Sequence, residues 1–184
     1  GRTIIVAGHQ HLGTVGRGSR VTVVVNADNI EELLGKSRFT NNKVDDNDQV
    51  GVVTGLAYTQ YGGDILPIEV THFKGKGALI LTGSLGDVIK ESVYVAMGYI
   101  KSNGLILDID NKIFKENDFH IHFESGSIFK EGPSAGVALI TSLISLIKKK
   151  AIDSSVSMTG EITLRGKILP VGGLKEKLIA ASTN

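Results

Sequence analysis

The feature that most constrains the fold of this chain is its longest apolar stretch, which runs from Val137 to Ile147. Hydroxyl side chains interrupt the stretch, and it is much shorter than the roughly 18 apolar residues of a membrane-spanning helix. Pro133 suits the first turn of a helix, and the lysines at 148–150 suit its end, where the helix dipole favours cations. We therefore expect a buried helix over residues 134–149 and no membrane contact.

A buried helix needs other elements to cover it, and the rest of the chain supplies them. The 184 residues are 41% apolar, which is enough for one domain with a core. Helical spacing predicts a second helix over 85–101, opened by a capping box at Ser84 and Asp87, and a last helix that begins near Gly173. Runs rich in β-branched residues predict strands at 50–59, 65–73, 78–81, 119–123, 156–162 and 164–171. This irregular mixture favours an α+β fold, with a mixed β-sheet and packed helices, over a doubly wound one.

Composition excludes several classes of site. The net charge of +1 gives no strong basic field, so nucleic acid is not indicated as a partner. The absence of cysteine excludes a disulfide framework, a thiolate zinc site and a cysteine nucleophile. His120 and His122 lie on one face of a predicted strand, but no third ligand has a suitable spacing. We therefore expect no bound metal.

The first 48 residues differ from the rest in their pattern. Residues 1–20 contain glycine-rich stretches without a period, and we interpret them as a tag, an arm or an unassigned segment. Residues 21–48 hold a short β-rich run, one or two helical turns over 29–35 and a polar stretch that is typical of a linker. We place a boundary near Asn47 and expect the main domain to span residues 49–184.

The run Glu131-Gly132-Pro133-Ser134-Ala135-Gly136 places one serine at the start of the buried helix. A serine in this place commonly caps the helix with its hydroxyl, which is one interpretation. The other is a nucleophile, because a helix N-terminus offers free N–H groups and partial positive charge to an oxyanion. The small residues Gly132, Ala135 and Gly136 leave room for a substrate backbone.

A lysine can act as the base for such a serine, and the run Gly172-Gly173-Leu174-Lys175-Glu176-Lys177 offers two. Lysine is protonated at neutral pH unless burial lowers its pKa. On the predicted last helix, Lys177 lies about 60° from Leu174, at the edge of the apolar face. Lys175 lies about 100° from Leu174 on the other side, toward solvent. We expect Lys177 to be the desolvated base; a solvated surface lysine is the alternative.

Five ordered runs of residues together resemble the proteolytic domain of Lon protease. The resemblance covers roughly residues 49–182, and residues 21–48 are similar to the segment that joins the ATPase module to that domain. The runs are Val53-Thr54-Gly55-Leu56-Ala57-Tyr58, then Gly75-Lys76-Gly77 leading to Leu81-Thr82-Gly83-Ser84-Leu85-Gly86, then the Ser134 run, Met158 to Gly166, and the Lys177 run.

This resemblance implies a fold and a set of roles. The fold is similar to the second domain of ribosomal protein S5. Ser134 matches the nucleophile of the family, Lys177 matches its general base, and Thr159 matches a residue that orients the base. The family usually has Asp at the position of Glu131. His122 and Glu131 match positions near the nucleophile with supporting roles at most. Together with Thr159 and the small residues Gly132 and Ala135, they are the expected supporting residues.

The resemblance also implies a cellular context. The family cleaves unfolded and damaged proteins as an ATP-driven homohexamer, in the mitochondrial matrix or the bacterial cytoplasm. No Gly-x-x-x-x-Gly-Lys-Ser/Thr motif occurs here, so we expect no cofactor in this chain and expect ATP and Mg²⁺ in the ATPase module of a full-length protein. Because the sequence ends at Asn184, soon after Lys177, we expect the domain to be truncated at its C-terminal end.

Three hypotheses about function follow from these residues. The first is a serine endopeptidase with a Ser134–Lys177 dyad. The second is a Lon-like fold that is inactive in this fragment, with Lys177 solvated or Ser134 blocked by its own loop. The third is a non-catalytic interaction module with the same fold. Peptidase assays with an acylating serine probe, applied to this fragment and to a longer chain, separate the first two hypotheses; a Ser134–Lys177 distance within hydrogen-bond reach would indicate an assembled dyad, and a longer one would leave the choice open.

Overall fold

The structure, a computed structural model, describes residues 3–6, 47–59, 62–124 and 128–183. The predicted β-rich run at 21–25 and the helical turns at 29–35 lie outside the described residues. Most of the predicted linker lies outside them as well. The described residues form one mixed sheet with helices on both faces, and a small hairpin. This arrangement confirms the α+β fold with a mixed sheet.

The main sheet has six strands in the order β1-β6-β2-β3-β5-β4. Strand β2 pairs antiparallel with β3, and β3 pairs antiparallel with β5. The remaining pairs, β1–β6, β2–β6 and β4–β5, are parallel. The strands are β1 (Thr3–Val6), β2 (Val52–Thr59), β3 (Gly62–Lys74), β4 (Leu79–Thr82), β5 (Asn117–Phe123) and β6 (Val156–Thr159). Strand β1 was not predicted from the sequence.

Two long helices cover one face of this sheet. They are α1 (Asp87–Ser102) and α4 (Gly136–Lys148). Between them in the chain come the short helices α2 (Gly104–Leu107) and α3 (Ile113–Glu116) and then strand β5. Every second residue of β2 and β3 points toward this face, so Val53 and Ile68 join the main core with Leu139 and Leu143. The predicted helix over 134–149 is therefore confirmed as a buried helix, and it begins two residues later than expected.

The last helix, α5 (Leu174–Thr183), packs on the opposite face of the sheet. Leu56 and Ile65 alternate with the residues of the main core and form a separate buried cluster with Ala181 of α5. Backbone crowding confirms how closely α5 approaches: a Cβ added to Gly63 would lie 2.0 Å from the carbonyl oxygen of Glu176. The β2–β3 hairpin is thus held between helices on both sides.

Two local predictions were wrong. The capping box at Ser84 and Asp87 does not form, because Ser84 has a φ of 58° and the N-cap of α1 is Gly86, which provides no side-chain bond. The predicted strand over 164–171 is mostly a turn: only β8 (Ile168–Leu169) is extended, and it pairs with β7 (Glu161–Ile162). In the part of the chain that is described, no helix is long and apolar enough to cross a membrane.

Candidate active site

Ser134 lies just before helix α4, where that helix meets the end of strand β6. The carbonyl oxygen of Ser134 accepts a hydrogen bond of 2.9 Å from the N–H of Gly160. The hydroxyl of Thr159 also donates to this oxygen, at 3.5 Å. In return, the carbonyl of Gly160 accepts from the N–H of Val137 in the first turn of α4. Main-chain bonds on both sides of Ser134 therefore fix its backbone to strand β6.

The structure does not support the helix-cap interpretation of Ser134. Helix α4 begins at Gly136, its N-cap residue is Ala135, and no side chain caps it. Within residues 47–59, 62–124 and 128–183, the Ser134 hydroxyl has no hydrogen-bond partner. Its side chain is partly exposed and lines a cleft.

Lys177 is buried, with 2% of its surface exposed, whereas Lys175 on the same helix is exposed. This confirms the assignment of the two lysines to opposite sides of α5. The Nζ atom of Lys177 donates a hydrogen bond of 3.1 Å to the hydroxyl of Thr159. Burial lowers the pKa of Lys177 from 10.5 to about 8, because an ammonium group loses its hydration there. Near pH 8, the Lys177 side chain is therefore neutral in a substantial fraction of the molecules.

One cleft of about 300 Å³ brings Ser134 and Lys177 together. Its walls come from strands β2 and β3, from the loop that precedes Ser134 and from residues 170–172 ahead of helix α5. The two side chains line this cleft without a direct hydrogen bond between them. Thr159 connects them instead, because its hydroxyl accepts from Lys177 and donates to the main chain of Ser134.

Backbone donors near Ser134 differ in their availability. The N–H groups of Gly136 and Val137 are already bonded, to the carbonyls of Pro133 and Gly160. For the N–H groups of Ser134 and Ala135, no partner is found among the residues that the structure describes. These two groups, rather than those of the first helical turn, are free to bind an oxyanion beside the hydroxyl.

Three of the predicted supporting residues, Gly132, Ala135 and Glu131, line the cleft, whereas His122 does not. Gly132 and Ala135 line the cleft, and Gly132 has a φ of 108° that other residues rarely adopt. Glu131 also borders the cleft, but its carboxylate oxygen Oε1 accepts from the N–H groups of Val88 and Ile89, at 2.9 and 3.2 Å. Glu131 is thus engaged by helix α1.

His122 lies apart from the residues that line the cleft. Its Nδ1 atom is 2.7 Å from the hydroxyl of Thr82 on β4, and Nε2 of His120 is 2.9 Å from the same hydroxyl. One hydroxyl donates a single proton, so at least one of the two rings must donate to it when both bonds form. In the described part of the chain, no three His, Cys, Asp or Glu residues are grouped to hold a metal ion.

The sequence reasoning missed two charged residues of the cleft, Asp64 and Lys130. Burial raises the pKa of Asp64, and the bond from the N–H of Ile65 and the charge of Lys130 oppose that shift. Burial likewise lowers the pKa of Lys130, opposed by the charge of Asp64. The Nζ atom of Lys130 also donates to the carbonyl oxygens of Gly83 and Ile128, each at 2.9 Å. Lys130 adjoins the Ser134 run, which was the only signal that it lies near the site.

Comparisons with known proteins match most of this chain to one family. Residues 24–184 match the family described as Lon protease (S16) C-terminal proteolytic domain. The Lon protease of Aster yellows witches'-broom phytoplasma (strain AYWB) is 53% identical over 160 residues, which cover 87% of this chain and 20% of that protein. The Lon protease of Mycoplasma mycoides subsp. mycoides SC is 48% identical over 181 residues, or 94% of this chain and 23% of that protein.

A third relative extends the same result. The Lon protease of Bacillus thuringiensis (strain Al Hakam) is 51% identical over 162 residues, which cover 88% of this chain and 20% of that protein. The chain thus spans about a fifth of the length of these curated relatives.

Proposed function

Because this chain belongs to the family of Lon protease C-terminal proteolytic domains, which are serine peptidases, we propose that it hydrolyses peptide bonds with Ser134 as nucleophile and Lys177 as general base. The observation that carries this proposal is the burial of Lys177 in the cleft that Ser134 lines. Among the residues that the structure describes, Lys177 has no carboxylate partner. A buried lysine of this kind is costly to the fold, and such groups concentrate at functional sites.

The reaction begins with proton transfer. Neutral Lys177 accepts the proton of the Ser134 hydroxyl as the oxygen attacks the carbonyl carbon of the substrate. The N–H groups of Ser134 and Ala135 bind the oxyanion that forms. Protonated Lys177 then donates the proton to the leaving amine, which yields an ester at Ser134. A water molecule, deprotonated by Lys177, hydrolyses that ester and restores the hydroxyl.

Thr159 has a defined part in this scheme. Its hydroxyl lies 3.1 Å from Nζ of Lys177 and is itself fully buried, at 0% exposure. It therefore fixes the direction of the lysine side chain without competing for the Ser134 proton. This supports Thr159 as the residue that orients the base.

Paired variants test the dyad. We expect Ser134→Ala and Lys177→Gln each to reduce cleavage of a short fluorogenic peptide by about 10³-fold or more, because each removes a group that acts in the transition state. Lys175→Gln is the matched control. It should keep the parent rate, because Lys175 lies on the same helix but is exposed to solvent. Cleavage at the parent rate by Lys177→Gln would exclude the lysine as base.

A second candidate function has its own observation. Ser134 and Lys177 share the cleft without a direct hydrogen bond, which favours a chain of this fold whose dyad assembles only in the longer protein. A fluorophosphonate probe that acylates active serines separates the two cases when it is applied to this chain and to a full-length protein. Labelling of Ser134 in both would contradict inactivity of the fragment. Labelling in neither would favour a non-catalytic interaction module.

For the full-length protein we propose an ATP-dependent homohexamer that degrades unfolded or damaged proteins. The support is the similarity of this chain to three Lon proteases, of whose length it spans about a fifth. ATP and Mg²⁺ would bind in the ATPase module. The test is degradation of a fluorophore-labelled unfolded protein by the full-length protein. Degradation should require ATP, and the full-length protein should elute from a sizing column with the mass of a hexamer. ATP-independent degradation would contradict it.

The bacterial origin of the three relatives favours a bacterial cytoplasm over a mitochondrial matrix.

A further inference from the structure

The cleft that Ser134 and Lys177 line also contains a carboxylate to which the proposed reaction assigns no part. Asp64, near the start of strand β3, lines the same cleft. Side chains alternate along a strand, so Asp64 points to the same face of the sheet as Leu66, which belongs to the main core with helix α4. Ser134 comes just before that helix, whereas Lys177 belongs to the helix on the opposite face. Asp64 therefore lies on the Ser134 side of the cleft.

Asp64 is half-buried and has few partners in the part of the chain that the structure describes. Its Oδ1 atom accepts a hydrogen bond of 2.9 Å from the N–H of Ile65. No ion pair among the described residues includes its carboxylate. Burial raises the pKa of Asp64, because part of the hydration of the charged form is lost. A carboxylate accepts several hydrogen bonds, so most of this capacity remains available to a ligand in the cleft.

The charge of Lys130 compensates this carboxylate only in part. It lowers the pKa of Asp64, but by less than burial raises it. The Nζ atom of Lys130 donates to the carbonyl oxygens of Gly83 and Ile128, each at 2.9 Å, so the main chain holds the ammonium group. Glu131 adds a second carboxylate at the border of the cleft. When the proposed base is neutral, two carboxylates against one ammonium group favour a positively charged ligand.

Apolar side chains form the wall of the same cleft. Ile128 and Phe129 line it and are 42% and 65% exposed, and Ala57 and Leu66 line it beside the core. Asp64 is more buried than Ile128 or Phe129, so it lies deeper in the cleft. An apolar wall suits the methylene groups of a long side chain, and a carboxylate suits a cationic head group. Lysine and arginine side chains combine these two properties.

We propose that Asp64 is a specificity-determining residue, which binds the cationic head group of a lysine or arginine side chain of the substrate near the cleaved bond. This inference rests on the proposed function of Ser134 and adds a substrate preference to it. Ile128 and Phe129 contact the methylene groups of that side chain, and Asp64 accepts a charge-assisted hydrogen bond from its end. An acidic side chain in the same place is repelled by Asp64 and Glu131.

Matched peptides test the preference. Lysine and norleucine have side chains of similar length, and only the lysine side chain ends in a charge. In a fluorogenic peptide, one position at a time on either side of the cleaved bond is filled with lysine or with norleucine. At one of these positions, we expect the parent to cleave the lysine peptide with a kcat/KM about tenfold above that of the norleucine peptide. Equal values at every position overturn the inference.

Substitution of Asp64 identifies the residue that causes the preference. Asp64→Asn keeps the size of the side chain and removes its charge, so the ratio of the two kcat/KM values should fall about tenfold. Asp64→Glu keeps the charge and should retain at least about a third of the ratio. Glu91→Gln, which changes an exposed carboxylate on helix α1, is the control and should keep the parent ratio. If Asp64→Asn slows the cleavage of both peptides equally, Asp64 supports the fold and does not select substrates, which overturns the inference.

Binding of the same peptides separates this inference from the proposed nucleophile. The Ser134→Ala chain forms no ester, so the Kd of a labelled peptide can be measured by fluorescence anisotropy. The lysine peptide should bind about tenfold more tightly than the norleucine peptide, and adding Asp64→Asn should remove that difference. Equal binding of the two peptides, or binding of neither, overturns the inference. If the difference in binding is found but the parent cleaves no peptide, the inference stands and the proposed nucleophile is contradicted.

Discussion

At the scale of single residues, Lys177 decides how the site responds to pH. Its pKa of about 8 means that the side chain is neutral in roughly a tenth of the molecules at pH 7 and in most of them at pH 9. The side chain that we propose as the proton acceptor is therefore charged in most molecules at neutral pH. Burial, rather than a neighbouring charge, is the cause.

The rate of peptide cleavage should follow this titration. We expect kcat/KM to rise about tenfold per pH unit up to pH 8 and to level off above it, because only neutral Lys177 accepts the Ser134 proton. Hydrolysis of a fluorogenic peptide between pH 6 and pH 10 measures this, with circular dichroism at each pH to confirm folding. A rate that is already constant from pH 6 would contradict the assignment.

The same burial affects stability. The pKa of Lys177 is lower in the folded chain than in the unfolded one, so the unfolded chain binds more protons between about pH 8 and 10.5, and stability rises with pH across that window. Lys177→Met should therefore stabilise the fold at pH 7 by about 1 to 2 kcal/mol, with a gain that shrinks toward pH 10. Urea denaturation at both pH values measures it.

Lys175→Met is the control for this stability change. Lys175 is exposed, so its replacement should shift the free energy of unfolding by less than about 0.5 kcal/mol at either pH. If Lys177→Met likewise left the free energy of unfolding unchanged, the fold would have no preference for an uncharged group at position 177.

At the scale of elements, one carboxylate fixes how strand β4 joins the sheet. Oδ1 of Asp118 on β5 accepts from the N–H groups of Ala78 and Lys76, both at 2.8 Å. These bonds hold the pKa of Asp118 below its ordinary value, with the bond from Ala78 as the largest cause. The loop from β3 to β4 crosses the end of β5, so β4 pairs with β5. In a simple hairpin, β4 would instead pair with β3.

Removal of this carboxylate should loosen the edge of the sheet. The stabilising effect of a lowered pKa is present above the unfolded value of 3.8 and is lost as pH falls through the lower folded value. Asp118→Ala should therefore melt at a lower temperature than the parent at pH 7, and the two melting temperatures should converge in acid. Differential scanning calorimetry measures both. The control, Glu116→Ala, alters an exposed carboxylate and should not show this pH-dependent difference.

Much of the site could be predicted from local sequence, and the reasons are physical. The periodicity of one helix was enough to separate Lys177 from Lys175, because the apolar face of α5 is defined by its own residues. The cap of α1 could not be predicted in this way. Its acceptor, Glu131, comes from more than 40 positions away, so only the fold brings it to Val88. Asp64 and Lys130 were missed for the same reason.

At the scale of the whole molecule, the candidate site joins the two faces of the sheet. Ser134 precedes helix α4, which belongs to the main core, whereas Lys177 lies on α5, which packs on the opposite face through a small cluster with Leu56 and Ile65. The two faces meet at the end of strand β6, where Thr159 contacts both residues.

A change on α5 should therefore separate function from folding. Ala181 is fully buried against the sheet, at 0% exposure, and Ala181→Asp would place a charge in that cluster. We expect α5 to detach, probe labelling of Ser134 to fall about 100-fold, and the main core to keep most of its circular dichroism signal. Ser182→Asp, exposed on the same helix, is the control and should label normally. Loss of the whole fold in Ala181→Asp would show that the two faces form a single cooperative unit.

The position of the proposed nucleophile and the proposed base on opposite faces of the sheet has a further consequence. A chain in which only one of these faces is covered holds either Ser134 or Lys177 in place, but not both. If the two residues act as we propose, cleavage of a peptide bond requires both α4 and α5 to be packed on the sheet.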